Sequence, residues 1–464
     1  MLLKNKIKNL KNILNSDNVL ATLEERYCYS KDALNKALDS KIPDLVVFVE
    51  NIPQIQKILK YANDHKIPII SRGAGTNMVG ACSTPKGGIV LNFSKMNKIL
   101  DINPNNMTMT VQPGVILNDI KESAEALNLF FPPDPSNYKV STIGGAIAQS
   151  SGGAMAFKYG TTKDYVLSLK VITADGRILT LGANTHKDAV GYHLNQLMVG
   201  SEGTLAIIAE AVLKLIPKPS YKITVSAYFD SIHSLTQTVD EIISKNIYPS
   251  AIDFMDENSI KTVEKYCSCG LDTSKKYMLL IDLEGYEKDY KSQLNLLTEI
   301  INKYCVNNIQ IAETEQESEK IWNARRVSYA ATTRLAPDVI SDDIIVPRQN
   351  LEKMINFCYE TTTKYNLKIC LVGHIGDGNL HPQIALDIDN EQEFKNYTNA
   401  KSEIYKKVIE LGGTISAEHG IGVEKLSYID KIIDKDTLEY MKLIKKAFDP
   451  NGILNPGKIF EMDK

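Results

Sequence analysis

Between residues 71 and 204 this chain gives up side chains again and again. One stretch reads Ser71-Arg72-Gly73-Ala74-Gly75-Thr76-Asn77. A second reads Ser141-Thr142-Ile143-Gly144-Gly145-Ala146-Ile147-Ala148, with Ser150-Ser151-Gly152-Gly153 just behind it. A third reads Gly200-Ser201-Glu202-Gly203-Thr204. Glycine costs chain entropy, so a plain core does not concentrate it. Glycine does let backbone N–H groups approach a pyrophosphate, and small neighbours let a flat ligand lie against the main chain. One such stretch alone could be a tight turn, but three together point to a binding surface. The first stretch is not the Rossmann fingerprint. Met78 stands where the third glycine is required, and Gly80, Pro85, Gly87 and Gly88 break the helix that should follow. A nicotinamide-binding Rossmann domain is therefore disfavoured.

Strands are expected at residues 45–49, 68–70, 88–93 and 107–111. Asn51 can cap a helix that puts Ile52, Ile55, Ile58, Leu59 and Ala62 on one face. Residues 167–173 and 178–181 flank Asp175-Gly176, which predicts a hairpin with a tight turn. The texture changes at Pro217-Lys218-Pro219, read as a linker. Beyond it, strands at 224–229, 277–283 and 367–372 alternate with helices at 231–245, 288–304 and 349–365, an α+β pattern. A further helix covers 435–448, ahead of Asn455-Pro456-Gly457-Lys458. A chain of 464 residues is too long for one core. The expected division is an N-terminal helical segment over 1–40, a first domain over 41–216, a second over 217–425 and a C-terminal segment over 426–464.

Near the start, Leu3, Ile7, Leu10 and Leu14 recur at helical spacing among lysines, which predicts an amphipathic helix rather than a signal peptide. The net charge of −3 carries no footprint for nucleic acid. No apolar run approaches the ~18 residues needed to span a bilayer. The seven cysteines are scattered without a Cys-x-x-Cys pair. That argues against a disulfide framework and against an iron–sulfur cluster held by this chain alone. A cytoplasmic protein is expected, reaching a membrane only through a partner.

The chemistry concentrates late. Gly373-His374-Ile375-Gly376-Asp377-Gly378-Asn379-Leu380-His381 and Ala417-Glu418-His419-Gly420-Ile421-Gly422 hold three of only seven histidines. A turn through Gly376-Asp377-Gly378 between two strands can bring His374 and His381 together. Two imidazoles and a carboxylate, Glu418, form a usual divalent-metal ligand set, which leaves His419 free to move protons. Spacing does not choose the metal, and zinc, iron and manganese all remain open. The same set also serves hydrolytic zinc sites and non-haem iron oxygenases, neither of which needs the glycine segments. Trp322-Asn323-Ala324-Arg325-Arg326 offers a guanidinium fork that matches a carboxylate.

Taken together, Arg72 to Asn77, Pro133-Asp134, Thr142-Ile143-Gly144-Gly145, Lys158-Tyr159-Gly160 and Gly200 to Gly203 resemble the FAD-binding domain of the vanillyl-alcohol-oxidase superfamily. From about residue 41 onward the chain is similar to its FAD-linked D-2-hydroxy-acid dehydrogenases: D-lactate dehydrogenase, the flavin subunit of glycolate oxidase, and D-2-hydroxyglutarate dehydrogenase. The resemblance implies an α+β fold, a two-part FAD-binding domain followed by an α+β cap domain that binds substrate, with the C-terminal segment returning to the flavin domain. It places Arg72, Gly73, Ala74, Gly75, Thr76, Asn77, Pro133, Asp134, Ser136, Thr142, Gly145, Gly152, Gly153, Tyr159, Glu202, Gly203 and Asn455 around FAD. Thr76 stands where some relatives attach flavin through a histidine, so FAD is expected to be non-covalent. The resemblance also implies His374, His381 and Glu418 as metal ligands, His419 as base, and Arg325, rather than Arg326, as the carboxylate clamp.

The expected reaction is oxidation of a small 2-hydroxy acid, D-lactate first, to the 2-oxo acid. Tyr329 and Ser341 stand where hydroxyglutarate enzymes carry a threonine and a lysine, which favours a monocarboxylate over hydroxyglutarate. Electrons would pass to a partner such as electron-transfer flavoprotein or an iron–sulfur subunit. A homo-oligomer is compatible with the sequence. The competing readings are an oxygen-using oxidase of the same fold, a metallohydrolase whose glycine segments are mere turns, and a non-catalytic flavin subunit.

Overall fold

The computed structural model of the chain describes residues 18–34, 40–286, 290–305 and 309–462. The helix expected around Leu3 to Leu14 lies outside them. The described part of the N-terminal segment is less helical than expected. Val19–Leu20 pairs antiparallel to Leu45–Phe48, and only Leu23–Tyr27 is helical, capped by Thr22. The loop after it braces the first glycine stretch. Lys31 accepts a 2.6 Å hydrogen bond at its carbonyl from Arg72 Nη1, and Ala33 N donates to the Asn77 carbonyl at 3.0 Å.

The first half holds two sheets. In the four-stranded one, Leu45–Phe48 and Ile69–Arg72 flank Ile89–Asn92 in parallel. Parallel neighbours need a crossover, and the helix Ile52–His65 supplies it. Asn51 caps that helix by accepting from Gln54 N. Ile55, Ile58, Leu59 and Ala62 are buried in one cluster with the sheet residues Leu45, Val47, Ile89 and Leu91. The second sheet is antiparallel, in the order Ile99–Asn103, Thr108–Val111, Ile207–Lys214, Val166–Ile172, Ile178–Gly182. The Asp175-Gly176 turn joins its last two strands, with Gly176 at φ +83°.

Pro217 does not sit in a free linker. It pairs with Leu129 in a two-residue ladder before the chain enters Tyr221–Phe229. So short an edge pairing tolerates proline. The second half then builds an eight-stranded antiparallel sheet, with Ala251–Asp256 beside Lys368–His374 and Asn379–Leu386 following it. Ala251–Asp256 and the helices Glu257–Cys267 and Glu391–Glu410 are elements that the sequence patterns above do not mark. Helices of this half pack into the largest apolar cluster, around Phe254, Ile281, Leu371 and Ile384. A disulfide joins Cys267 to Cys269, so close in sequence that it cross-links no distant elements.

After the helix Lys435–Phe448 the chain runs back to the first sheet. Ile69 N donates to the Ile453 carbonyl, and Asn455 N donates to the Ile69 carbonyl, both at 2.7 Å. No helix among the described residues is long and apolar enough to cross a membrane.

Candidate active site

Strand Ile69–Arg72 delivers the chain into the 73–77 loop. A Cβ at Gly73 would fall 2.1 Å from Thr142 Oγ1, and one at Gly75, at φ +74°, would fall 2.1 Å from Arg72 Nη2. Thr142 begins the short helix Ile143–Gln149 and accepts from Gly145 N. The 72–77 loop, Ser136, Thr142, Gly145, Glu202, Gly203 and Asn455 line one cavity. Five residues of the expected cofactor set are not on its wall. Pro133 is buried and lines neither this cavity nor the one described below. Asp134 bridges to Gly153 through the backbone and pairs with Lys121 at 3.1 Å. Gly152 leaves room for Glu418, whose Oε2 is 2.9 Å from where a Cβ would stand. Tyr159 packs edge-on against Phe130.

Glu202 accepts from Ile421 N at 2.7 Å and Gly422 N at 2.8 Å, tying the first half to the loop after His419. Burial pushes its pKa up to about 7 against those two donors.

The turn after His374 returns the chain antiparallel, so that His374 pairs in register with Asn379 and Val372 with His381. Both imidazoles point at one carboxylate oxygen. Glu418 Oε1 lies 3.7 Å from His374 Nε2 and 3.4 Å from His381 Nε2. The far nitrogens are held from behind. His374 Nδ1 is 2.7 Å from Asp253 Oδ1, and His381 Nδ1 is 3.3 Å from the Asp342 carbonyl. His419 stacks on His381 at 5.4 Å between ring centroids, with its Nε2 4.0 Å from Glu418 Oε1. Burial opposes charge on His374, but Asp253 and Glu418 outweigh it and raise its pKa well above the ordinary value. Burial pushes His381 down to about 4. Burial would raise Glu418, but the His374, His381 and His419 imidazoles bring it to about 2.

Helix Glu315–Arg326 turns Arg325 inward with Ile321 and Trp322. Its Nε lies 2.8 Å from Asp253 Oδ2. Arg326 pairs instead with Glu319, at 2.5 Å. A second cavity, of about 410 Å³, is lined by Arg325, Arg326, Tyr329, Ser341, His374 and His381 among others. Lys222 also faces it, paired with Asp282 at 2.8 Å. Glu418 and His419 belong to the walls of both cavities.

The residues fit both a flat cofactor and a cation. Ser71 Oγ, Gln149 Oε1, His419 Nδ1 and Asn455 Oδ1 are buried without a hydrogen-bond partner, and all four residues line the first cavity. Unmet buried polar atoms are costly unless a ligand satisfies them. Donors ~2.1 Å from one divalent ion lie roughly 3.0–3.5 Å apart, close to the separations around Glu418 Oε1. Among the described residues, the group whose ligand atoms all lie within 4.8 Å of one another is Asp343, His381, Glu418 and His419; His374 stands outside it, 3.7 Å from Glu418 Oε1. Asp343 is the poorer ligand, because its oxygens already accept hydrogen bonds from Asn379, Ser416, Ala417, Glu418 and His419.

Sequence patterns single out neither Asp253 nor Asp343. Asp253 is a carboxylate inside an apolar strand, at Ala251-Ile252-Asp253-Phe254, and Asp343 stands just ahead of one, at Asp342-Asp343-Ile344-Ile345. A buried acid among β-formers is itself the signal, since acids are seldom buried unless paired.

Comparison with known proteins bears on these cavities. The family profile described as FAD binding domain matches residues 43–182, and the profile described as FAD linked oxidases, C-terminal domain, matches residues 218–459. Glycolate oxidase subunit GlcD of Bacillus subtilis is 43% identical over 438 residues, covering 94% of this chain and 93% of its own length. A D-lactate dehydrogenase of Anaerostipes hadrus is 33% identical over 427 residues, covering 90% of this chain and 89% of its own. The crystal structure of p-cresol methylhydroxylase with substrate bound shares the fold, with a TM-score of 0.81 at 17% identity over 98% of this chain and 96% of that one.

Proposed function

The chain belongs to the FAD-linked oxidase family, among its oxidoreductases of 2-hydroxy acids, and on that premise we propose that it oxidises a small D-2-hydroxy monocarboxylate, D-lactate first, to the 2-oxo acid. The observation that carries this reading is the sharing of Glu418 and His419 by both cavities. It supports a base and a cation ligand standing where a cofactor and a small acid would meet.

His374, His381 and Glu418 would hold a divalent cation, and the glycine-lined cavity would hold FAD without a covalent bond; bound there, the two would supply acidification of the substrate hydroxyl and a hydride acceptor for Cα. Arg325 clamps the substrate carboxylate. Its Nε faces Asp253 as an ion pair without a hydrogen bond, and its two Nη groups would make the bidentate contact. His419 would take the hydroxyl proton at Nε2, the nitrogen 4.0 Å from Glu418 Oε1.

The charges in the second cavity support a monocarboxylate. Lys222 is paired with Asp282 and Arg326 with Glu319. Ser341 contributes no charge. Among the described residues lining this cavity, a second substrate carboxylate would therefore meet only cations that already have an acidic partner. Glycolate is the second reading, favoured by the 43% identity to a glycolate oxidase subunit. Electrons would leave through a partner, an electron-transfer flavoprotein or an iron–sulfur subunit, or through a diffusing quinone.

The test is an absorption spectrum of the purified protein without oxygen, before and after D-lactate, glycolate or D-2-hydroxyglutarate. Bleaching of the flavin band fastest with D-lactate is expected. Faster bleaching with glycolate selects the second reading, and a protein that no 2-hydroxy acid reduces rejects both.

A further inference from the structure

Asp343 is fully buried, just ahead of the short strand Ile344–Ile345. Its Oδ2 accepts four hydrogen bonds from one tetrapeptide: Ser416 Oγ at 2.9 Å, Ala417 N at 2.8 Å, Glu418 N at 2.9 Å and His419 N at 2.9 Å. Its Oδ1 accepts from Asn379 Nδ2 at 2.8 Å, two residues before His381. Successive backbone N–H groups that converge in this way make an anion-binding concavity. Here the protein's own carboxylate fills it.

The neighbouring groups complete a small buried frame. Lys425 Nζ donates to the carbonyls of Asp343 at 3.2 Å and Ile415 at 2.6 Å, and it pairs with Asp342 Oδ1 at 3.1 Å. Tyr405 donates to the same Asp342 oxygen at 2.8 Å. The Asp342 carbonyl in turn meets His381 Nδ1. One corner of the chain thus touches the backbone of Glu418 and His419 and the region carrying His381.

We propose that Asp343 is a positioning residue. By gathering three consecutive N–H groups and the Ser416 hydroxyl on one oxygen, it sets the carboxylate of Glu418 and the imidazole of His419 in their working places together. This rests on the reading of Glu418 as a cation ligand and His419 as the base. Without the carboxylate, the N–H groups of Ala417, Glu418 and His419 lose their acceptor at once. The loop must then turn to satisfy them, and ligand and base shift as a unit. An asparagine keeps the shape but presents an NH₂ group toward donors.

The test uses the full-length flavoprotein with Asp343→Asn and, separately, Ser416→Ala. FAD content, melting temperature, Mn²⁺ affinity after chelator treatment, and anaerobic flavin reduction by D-lactate at saturating Mn²⁺ are measured on both. Asp343→Asn should keep FAD and bind Mn²⁺ roughly 10–100-fold more weakly, the usual effect of removing a partner behind the ligands. It should still reduce flavin slowly when Mn²⁺ is saturating. Ser416→Ala removes one donor of four and should show a smaller loss in the same two quantities. Native Mn²⁺ affinity and native reduction in Asp343→Asn overturn the proposal, even if melting falls, because the role would then be structural only. Complete loss of Mn²⁺ binding in Asp343→Asn, with a native Ser416→Ala, also overturns it and makes Asp343 a ligand. If Asp343→Asn does not fold, Ser416→Ala decides, with a native result overturning the proposal and a weakened one supporting it. Full-rate reduction by the metal-free native protein would instead defeat the cation reading, and Asp343 would be judged on reduction rate alone.

Discussion

Arg325 and Asp253 form a nearly sealed ion pair, with Nε 2.8 Å from Oδ2. The other oxygen of Asp253 meets Nδ1 of His374 at 2.7 Å. The proposed clamp and the proposed cation ligand therefore hang on one carboxylate. Their separation is set before any substrate arrives, which is the kind of preorganisation that lowers the entropic part of a barrier.

Arg325→Lys should cost roughly 10–100-fold in kcat/KM, since a charge-assisted hydrogen bond contributes about 1.5–3 kcal/mol and a point charge cannot replace a fork. The loss should fall mainly on KM if the clamp acts equally on ground and transition states. Steady-state kinetics with D-lactate check this. Native values would move the clamp to Arg326.

His419→Asn should keep FAD and metal, bind substrate, and reduce flavin roughly 10²–10⁴-fold more slowly. His374→Ala should lose metal along with activity. Stopped-flow reduction and metal analysis on both variants separate base from ligand. The reverse pattern would exchange the two roles.

Treatment with a chelator should abolish D-lactate oxidation and leave the flavin spectrum in place. His374 and His381 line the second cavity only, while the glycine stretches wall the first. Full activity in a preparation shown by elemental analysis to be metal-free would remove the cation from the mechanism.

Acid precipitation should release the yellow colour into the supernatant, because Thr76 offers no ring nitrogen for attachment. Colour that stays on the pellet would mean a covalent link elsewhere.

Gly73→Val should fold but purify with little or no flavin. The new Cβ would lie 2.1 Å from Thr142 Oγ1, at the wall of the first cavity. A normal flavin-to-protein ratio would show that the loop can move aside.

What could be read in advance was whatever repeats locally. The helix Ile52–His65 announces itself through its spacing and its Asn51 cap. The His374 and His381 pair is legible because a Gly-Asp-Gly turn between apolar runs permits little else. Asp253, Asp343 and Lys222 escape because their roles depend on partners far along the chain. Asp253 meets His374 across 121 positions, and Asp343 meets the backbone of His419 across 76. Neither periodicity nor spacing reports a contact at that range. Pro217 hides a contact of the same kind, since a proline that punctuates a sequence can still sit in a two-residue ladder.

The return of the tail to the first sheet bears on how this protein is made. Asn455 donates its side-chain N–H groups to the carbonyls of Ala81 and Glu202, contacts that span 374 and 253 positions. Strands and helices of the first half can form as they emerge from the ribosome, but one wall of their cavity is supplied only when residue 455 has been synthesised. The first cavity is then complete only late in the life of the nascent chain. A fragment ending at the proline-rich boundary would carry every glycine stretch and still lack that wall.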